Sequence, residues 1–600
     1  MFIPTTLDEV KNLGWNKLDI ILVTGDTYID SPYTGIAVIG KLLCKAGYKV
    51  GIIAQPTCRL EAGVAVDSDI KRLGEPSLFW GVTSGCVDSM VANYTATKKR
   101  RKQDDFTPGG INNKRPDRAV IAYSNLIRRF FKSTKPIVLG GLEASLRRVS
   151  HYDYWNNEIR RSILFDAKAD FLVYGMGEKA ILEIARKLKN NESTDNICGI
   201  CYASNFAKDG YNLLPSYEEV KTNSVAGKQK FTEMFQIFYS NNNSLTASGI
   251  CQKQDTRYLI QNPPQNNLTE QELDEIYDMD FERDVHPYYK KNGMVRALET
   301  IRFSITTHRG CYGECNFCSI AVHQGTTVVS RSEKSILDEA KKITKLPDFK
   351  GYISDVGGPT ANMYGTGCTN KEKICVDKRC VYPEICKGLD LSHKKQLELL
   401  IKLRALSGVK KVFVASGVRH DLVLEDKKYG LAYLKELILH HISGQLKISP
   451  EHTEEVVLKR MGKSGKNYLK DFKKLFDELN KHYCQADLLR TKSPSNQANL
   501  SDVQRKQFLT YYFIAAHPGC GIEEMKKLKQ FVLKELKLIP EQLQIFTPTP
   551  STYSTLMYYI EQDPNTCENI FVEKDISEKA AQKEIILSPT YKPKSYPFSK

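Results

Sequence analysis

Six hundred residues exceed what one hydrophobic core organises, so the length implies about three or four domains. Hydrophobic residues at 41% and charged residues at 26% describe an ordinary globular protein, and no stretch approaches the ~18 to 20 apolar residues of a membrane helix. The amino terminus, MFIPTTLDEVKNLGW, has no basic segment ahead of an apolar run, so no secretory signal is read. The expected location is therefore the cytoplasm, where sixteen cysteines point to metal binding rather than disulfides. A net charge of +16 favours anionic partners, RNA among them.

The chain begins with the apolar run Leu18 to Thr24, read as a buried parallel strand. A helix over IAVIGKLLCK, ending at Gly47, and a second strand complete a βαβ unit, which implies a doubly wound α/β sheet. Further units near Phe79, near Pro136 and from Ala169 each place glycines or small polar residues after a strand, where such sheets bind ligands. Residues 1–200 are read as this Rossmann-like domain. The basic run Lys98 to Lys102 beside Tyr94, with Lys114, Arg115 and Arg118, reads either as a phosphate grip or as a solvated loop. Arg147, Arg148, Arg160 and Arg161 surround His151–Trp155, a mixture that suits a polar cleft facing the next domain. Cys198 and Cys201 fall in an apolar strand. Residues 201–294 are read as an extended connector, with Asn-rich turns over 210–250 and a helix capped by Thr269 and Glu272.

From about 295 to 560, strands and helices alternate as in a partial (β/α)6 barrel of the TIM type. Its first strand delivers RGCYGECNFCSI, which holds Cys311, Cys315 and Cys318 at C-x3-C-x2-C. Three thiolates on one loop suit three irons of a [4Fe-4S] cluster and leave the fourth iron open to a cofactor or substrate. That spacing, with Phe317 before the third cysteine, resembles the signature of radical S-adenosylmethionine (SAM) enzymes. The resemblance implies that the open iron chelates SAM and that one electron cleaves it to methionine and a 5′-deoxyadenosyl radical. It further places Gly357, Gly358, Pro359 and Thr360 at the SAM amino group and Ser416 and Arg419 at the ribose and carboxylate. Glu451 takes a further polar contact, and Ile545 to Thr549 pass the adenine. Each is equally readable as a strand-end polar group or a tight turn. His452 and His517 are candidates for proton exchange or for structural hydrogen bonds.

A second group, Cys368, Cys375, Cys380 and Cys386, stands at C-x6-C-x4-C-x5-C within 368–386. Four cysteines among Lys, Asp and Asn are poor core material, and they suit an auxiliary iron–sulfur cluster or a zinc ion. The remaining 561–600 is read as an amphipathic helix and a disordered basic tail.

The doubly wound domain resembles the cobalamin-binding domain that precedes the barrel in many radical SAM proteins. The histidine of the D-x-H-x-x-G pattern expected there is missing between Asp26 and Gly35. Over nearly its whole length the chain resembles the YgiQ family of radical SAM proteins, on TKKRRKQDDFTPGG, RPDRAVIAYSNLIRR, GGLEASLRRVSHYDYW and LVYGMGEKAILEIA. The implied activity is radical SAM chemistry on an unidentified substrate, fed by an electron donor such as flavodoxin or ferredoxin. A non-catalytic iron–sulfur sensor or assembly protein is the reading from another class. Methyl or methylthio transfer to RNA or protein would need cobalamin or a sulfur-donating cluster.

Overall fold

In the computed structural model, which describes residues 1–58, 68–369, 375, 379–491 and 506–588, β1 (Ile20–Thr24) lies wholly buried in a large sheet, one strand in from its edge. Its neighbours are β2 (Val50–Ala54) and β3 (Phe79–Thr83), both parallel to it, followed by β4 (Ile137–Leu139) and β5 (Phe171–Val173). Every residue of β1 and β2 is buried, because helices such as Gly35–Lys45 and Ala119–Phe130 cover the faces of the sheet. The order β2-β1-β3-β4-β5 is a doubly wound order of the flavodoxin type, whose ligand crevice lies between β1 and β3.

The sheet does not stop near residue 200. β6 (Ile200–Ser204), β7 (Asn212–Leu214), β8 (Ile250–Gln254) and β9 (Arg257–Gln261) add to β5 in the order β6-β9-β8-β7, giving nine strands. Residues 201–294, expected as an extended connector, are therefore largely part of the first domain. The expected surface segment 210–250 contains the helix Val225–Ser240, which buries Phe231, Met234, Phe235 and Phe238 in the main core of this domain. The capped helix after the prolines stands as read: Thr269 and Glu272 form a reciprocal capping box on Glu270–Tyr277.

The second domain opens with β10 (Ser304–Thr306). The next strand comes in two pieces, β11 (Tyr352–Ile353) and β12 (Asp355–Gly357), and then follow β13 (Lys411–Val412), β14 (Gln445–Glu451), β15 (Phe508–Ala515) and β16 (Gln542–Ile545). Pairing is parallel throughout: β10 with β12, β11 with β13, and β14 with β15 and β15 with β16, with a parallel bridge from Val418 to Ile448 joining the two halves. Six strand positions in chain order, each followed by a helix, make a (β/α)6 barrel. Among the described residues β16 does not pair with β10, so the barrel is open.

The helix Ile576–Leu587 packs Ile585 and Ile586 into the barrel core. From the same helix Lys579 lies between Tyr154 of the first domain and Tyr558 of the barrel, 3.2 and 2.8 Å from their hydroxyls. The lysine-rich end, 589–600, lies outside the described residues. His151–Asp153 and Glu158–Arg160 form a hairpin whose Tyr152 packs on Tyr558 and Tyr559, so His151–Trp155 is domain-to-domain packing instead of an open polar cleft. Among the described residues no helix is long and apolar enough to cross a membrane.

Candidate metal centre

The cysteine loop leaves β10 through a short pairing of His308–Arg309 with Val329–Ser330. Gly310 makes the turn at φ +81°, where an added Cβ would stand 2.0 Å from the Thr327 carbonyl oxygen, so only glycine fits. Glu314 lies between the first two cysteines at φ +43°, a strained conformation for a side chain of its size. Cys318 then starts the helix Ser319–Gln324. Asn316 holds the loop to the barrel: its amide donates to the Met461 carbonyl at 2.9 Å and its side chain to the Arg460 carbonyl at 2.8 Å. Phe317 wedges between the two domain cores, with its ring edge-on to His517.

The three thiols are close enough to oppose one another's ionisation. Burial, and then the neighbouring thiols, push Cys318 up to about 12, while burial also raises Cys311. Thiols in this setting become thiolates when a metal supplies positive charge. The amide of Gly313 is directed to the Cys311 sulfur and that of Ile320 to the Cys318 sulfur. Sulfur-directed amides of this kind tune iron–sulfur clusters. Thr360 Oγ1 lies 3.4 Å from the Cys311 sulfur, and Arg419 directs a guanidinium N–H to Cys315 at 3.9 Å. The donor set, its burial and its amides fit an iron–sulfur cluster.

The SAM positions expected from the resemblance divide into two groups. Gly357, Gly358, Pro359 and Ser416 line one wall of a cavity of about 480 Å³, together with Ser319 and Ile320 just after Cys318. Thr360, Arg419 and Glu451 stand at the cysteines. The Gly357 carbonyl accepts the Thr307 amide at 2.8 Å, and a Cβ on Gly358 would fall 2.5 Å from the His308 ring. Those glycines thus admit a neighbouring histidine as well as leaving backbone open. Ser416 is turned onto Asp355, which also accepts the Ala415 amide at 2.8 Å. Arg419 pairs with Asp421; burial alone would raise that carboxyl, but the guanidinium holds it well below the ordinary range. Glu451 sits at φ +67°, with its carboxyl raised by burial against the opposing pull of Lys463 and Arg419. At Ile545–Thr549 the Thr549 carbonyl caps the next helix through Thr552 and Thr555, and none of these five residues is among those lining the cavity. His452 and His517 are fully buried and held neutral by that burial, both at about 3; His517 bonds Ser554 at 2.7 Å, and His452 bonds the Glu454 amide at 3.1 Å. Both make the local hydrogen bonds that the structural reading expects.

The far wall of the cavity is the carboxyl edge of the doubly wound sheet, at its crevice: Thr24, Asp26, Tyr33, Cys86, Gly140 and Gly141. Sequence reasoning placed ligand-binding residues after these strands but not opposite the barrel, and it missed the buried ion pair between Arg309, just before Cys311, and Glu178 of the first domain. Both residues lie inside motifs quoted for the resemblance, but their pairing crosses 131 positions. Of the basic run, Lys99, Arg100, Arg101, Lys102 and Lys114 are exposed, as the solvated-loop reading expects, but Arg115 is buried between Asp26 and Asp104 at 2.7 and 3.1 Å, and Lys98 donates to the Trp155 carbonyl.

A family profile described as radical SAM N-terminal matches residues 2–304. UPF0313 protein FN0734 of Fusobacterium nucleatum is 57% identical over 588 residues, spanning 98% of both chains. The chain belongs to the UPF0313 (YgiQ) family of radical SAM proteins. A UPF0313 protein of Thermotoga maritima is 48% identical over 592 residues, again 98% of both chains. Among solved structures, TsrM of Kitasatospora setae, a radical SAM methyltransferase with cobalamin and a [4Fe-4S] cluster bound, is 13% identical at a TM-score of 0.47 and is similar over 89% of this chain and 76% of its own.

Proposed function

We propose that this UPF0313 protein is an enzyme that reductively cleaves SAM on a [4Fe-4S] cluster held by Cys311, Cys315 and Cys318. The supporting observation is the convergence of three partly buried thiols with Thr360 and Arg419 beside a cavity walled by both domains. When bound, the cluster supplies the electron that splits SAM into methionine and a 5′-deoxyadenosyl radical. Arg419 places positive charge at the Cys315 sulfur, while Asp421 orients the guanidinium from the other side. Gly357, Gly358 and Ser416 bound the SAM side of the cavity. The edge of the sheet domain closes the other side, which keeps water from a reactive intermediate.

Histidine-ligated cobalamin does not fit this chain. The sheet wall of the cavity offers no imidazole, and the lining histidines, His308 and His323, come from the barrel. Both are buried and held neutral by that burial, and they bond Thr307 and Ser145. A sensor or assembly role leaves the two-walled cavity without a purpose, which favours the enzyme. Anaerobic reconstitution with iron and sulfide, reduction with dithionite and addition of SAM should yield 5′-deoxyadenosine; a chromatogram without it would sink the reading. The substrate class is tested by comparing nucleoside profiles of RNA from cells with and without the gene; a lost modified nucleoside identifies RNA.

A further inference from the structure

We propose that Cys368, Cys375, Cys380 and Cys386 ligate a second, closed [4Fe-4S] cluster directly behind the first cysteine loop. A small hairpin brings Cys368 beside the segment that follows Cys386, and Cys375 lies in the chain between them. Gly367–Cys368 pairs antiparallel with Leu389–Asp390, with Cys368 opposite Leu389, and the Thr369 amide donates to the Gly388 carbonyl at 2.8 Å. The Cys386 amide donates to the Cys380 carbonyl at 2.9 Å, which joins the third and fourth cysteines.

The sulfur environment repeats that of the first loop. The Gly388 amide donates to the Cys386 sulfur at 3.4 Å, two residues beyond the cysteine, as Gly313 stands to Cys311 and Ile320 to Cys318. Among the described residues no three His, Cys, Asp or Glu side chains converge as ligands of a single ion. A cubane asks for a wider set, because each thiolate takes its own iron. Four cysteines also differ from three in what they leave open: with every iron capped, the second centre has no site for SAM.

The two cysteine groups share one apolar cluster. Tyr312, Met363 and Val381 form its buried part, and Cys311 and Cys380 both pack against it. Arg379, adjacent to Cys380, reaches into the first loop, donating to the Asn316 side chain at 2.8 Å and the Glu314 carbonyl at 3.3 Å. Cys368, Cys375 and Cys386 face solvent, so the second centre lies on the surface side of the first. An outer cluster in that position can take one electron from a reduced flavodoxin- or ferredoxin-type donor and pass one inward. That role rests on the proposed SAM chemistry, whereas the site itself does not.

The test is metal and sulfide analysis of the full chain, purified and reconstituted without oxygen, with electron paramagnetic resonance after dithionite reduction. The wild type should hold about eight irons and eight sulfides, as two four-iron clusters require. C368A/C386A should fall to about four and keep the signal that shifts on adding SAM. C311A/C315A/C318A should also hold about four, with a signal indifferent to SAM, even if no SAM cleavage is ever observed. Circular dichroism of each variant checks the fold, and C368S/C386S repeats the count with less change in volume. Four irons in both the wild type and C368A/C386A would overturn the proposal. So would one zinc that is lost with the same two cysteines.

Discussion

The two walls of the interdomain cavity are built from similar parts and reach opposite electrostatic ends. Both place small residues at the carboxyl ends of parallel strands. On the sheet side Asp26 and Asp104 take Arg115 and Asp88 takes Arg147 within the domain, Glu143 accepts the Ser89 amide at 2.8 Å, and Glu178 pairs across to Arg309 of the barrel. On the barrel side three thiols crowd together, and the nearby cation, Arg419, is already shared with Asp421. A matched wall costs little to bury and holds its shape; the crowded sulfur donors beside the barrel wall are matched by metal. On the proposed function, the doubly wound domain walls the cavity and the barrel carries the chemistry.

This contrast predicts where damage matters. The largest effect falls on the sulfur wall: Cys318→Ala should reduce 5′-deoxyadenosine formation to background and remove iron from the first site, while far-ultraviolet circular dichroism is unchanged. The corresponding thiol of the sheet wall, in Cys86→Ala, should leave iron content as it was; a parallel loss would erase the distinction.

Acid should separate the domains next. His308 and His323 at about 4, His420 at about 4, and His452 and His517 at about 3 all belong to the barrel, against His151 at about 4 in the sheet domain. Burial is the first cause in each case. The unfolded chain takes up these protons near 6.5, so it binds more protons than the folded chain below that pH. Stability is therefore fully present above pH 6.5 and declines as pH falls toward about 4, by roughly 1.4 kcal/mol per unit for each such histidine. Hydrogen exchange at pH 7 and 5.5 should show barrel amides opening first; earlier opening of the nine-stranded sheet would reverse the ranking.

The seam between the walls comes third. Glu178→Ala leaves the Arg309 charge buried and should cost about 3 to 5 kcal/mol in urea unfolding. Adding Arg309→Ala should return part of that loss, as for any coupled pair. The smallest effect belongs to the expected basic patch: Arg100, half-exposed opposite Asp117 at 3.5 Å, should lose no more than about 1 kcal/mol on conversion to alanine.

Local patterns carried much of this protein. The β1 run, the Thr269–Glu272 cap, the alternation of strands and helices after 295 and the C-x3-C-x2-C spacing are all short-range signals, and the structure has each element where they put it. The helix Val225–Ser240 was legible too, with Phe231, Met234, Phe235 and Phe238 at helical spacing, but the Asn-rich flanks masked it. Four further strands were not legible as part of the first sheet. β7, β8 and β9 are short and carry mixed polarity, and only pairing across the sheet decides that they extend it.

The sequence by itself therefore determined the chemistry offered: which thiols lie on one loop, which follow on a second, and which strands can carry them. Tertiary structure alone decided the company those groups keep. Arg309 meets Glu178, Arg115 leaves the surface for Asp26, and the doubly wound edge turns to face Gly357 and Ser416 across one cavity. The physical reason is that spacing along a loop is set by bond geometry over a few residues, whereas a wall or an ion pair joins groups far apart in the chain, 131 positions for Arg309 and Glu178. Such groups meet only once burial of both cores has fixed the two domains against each other.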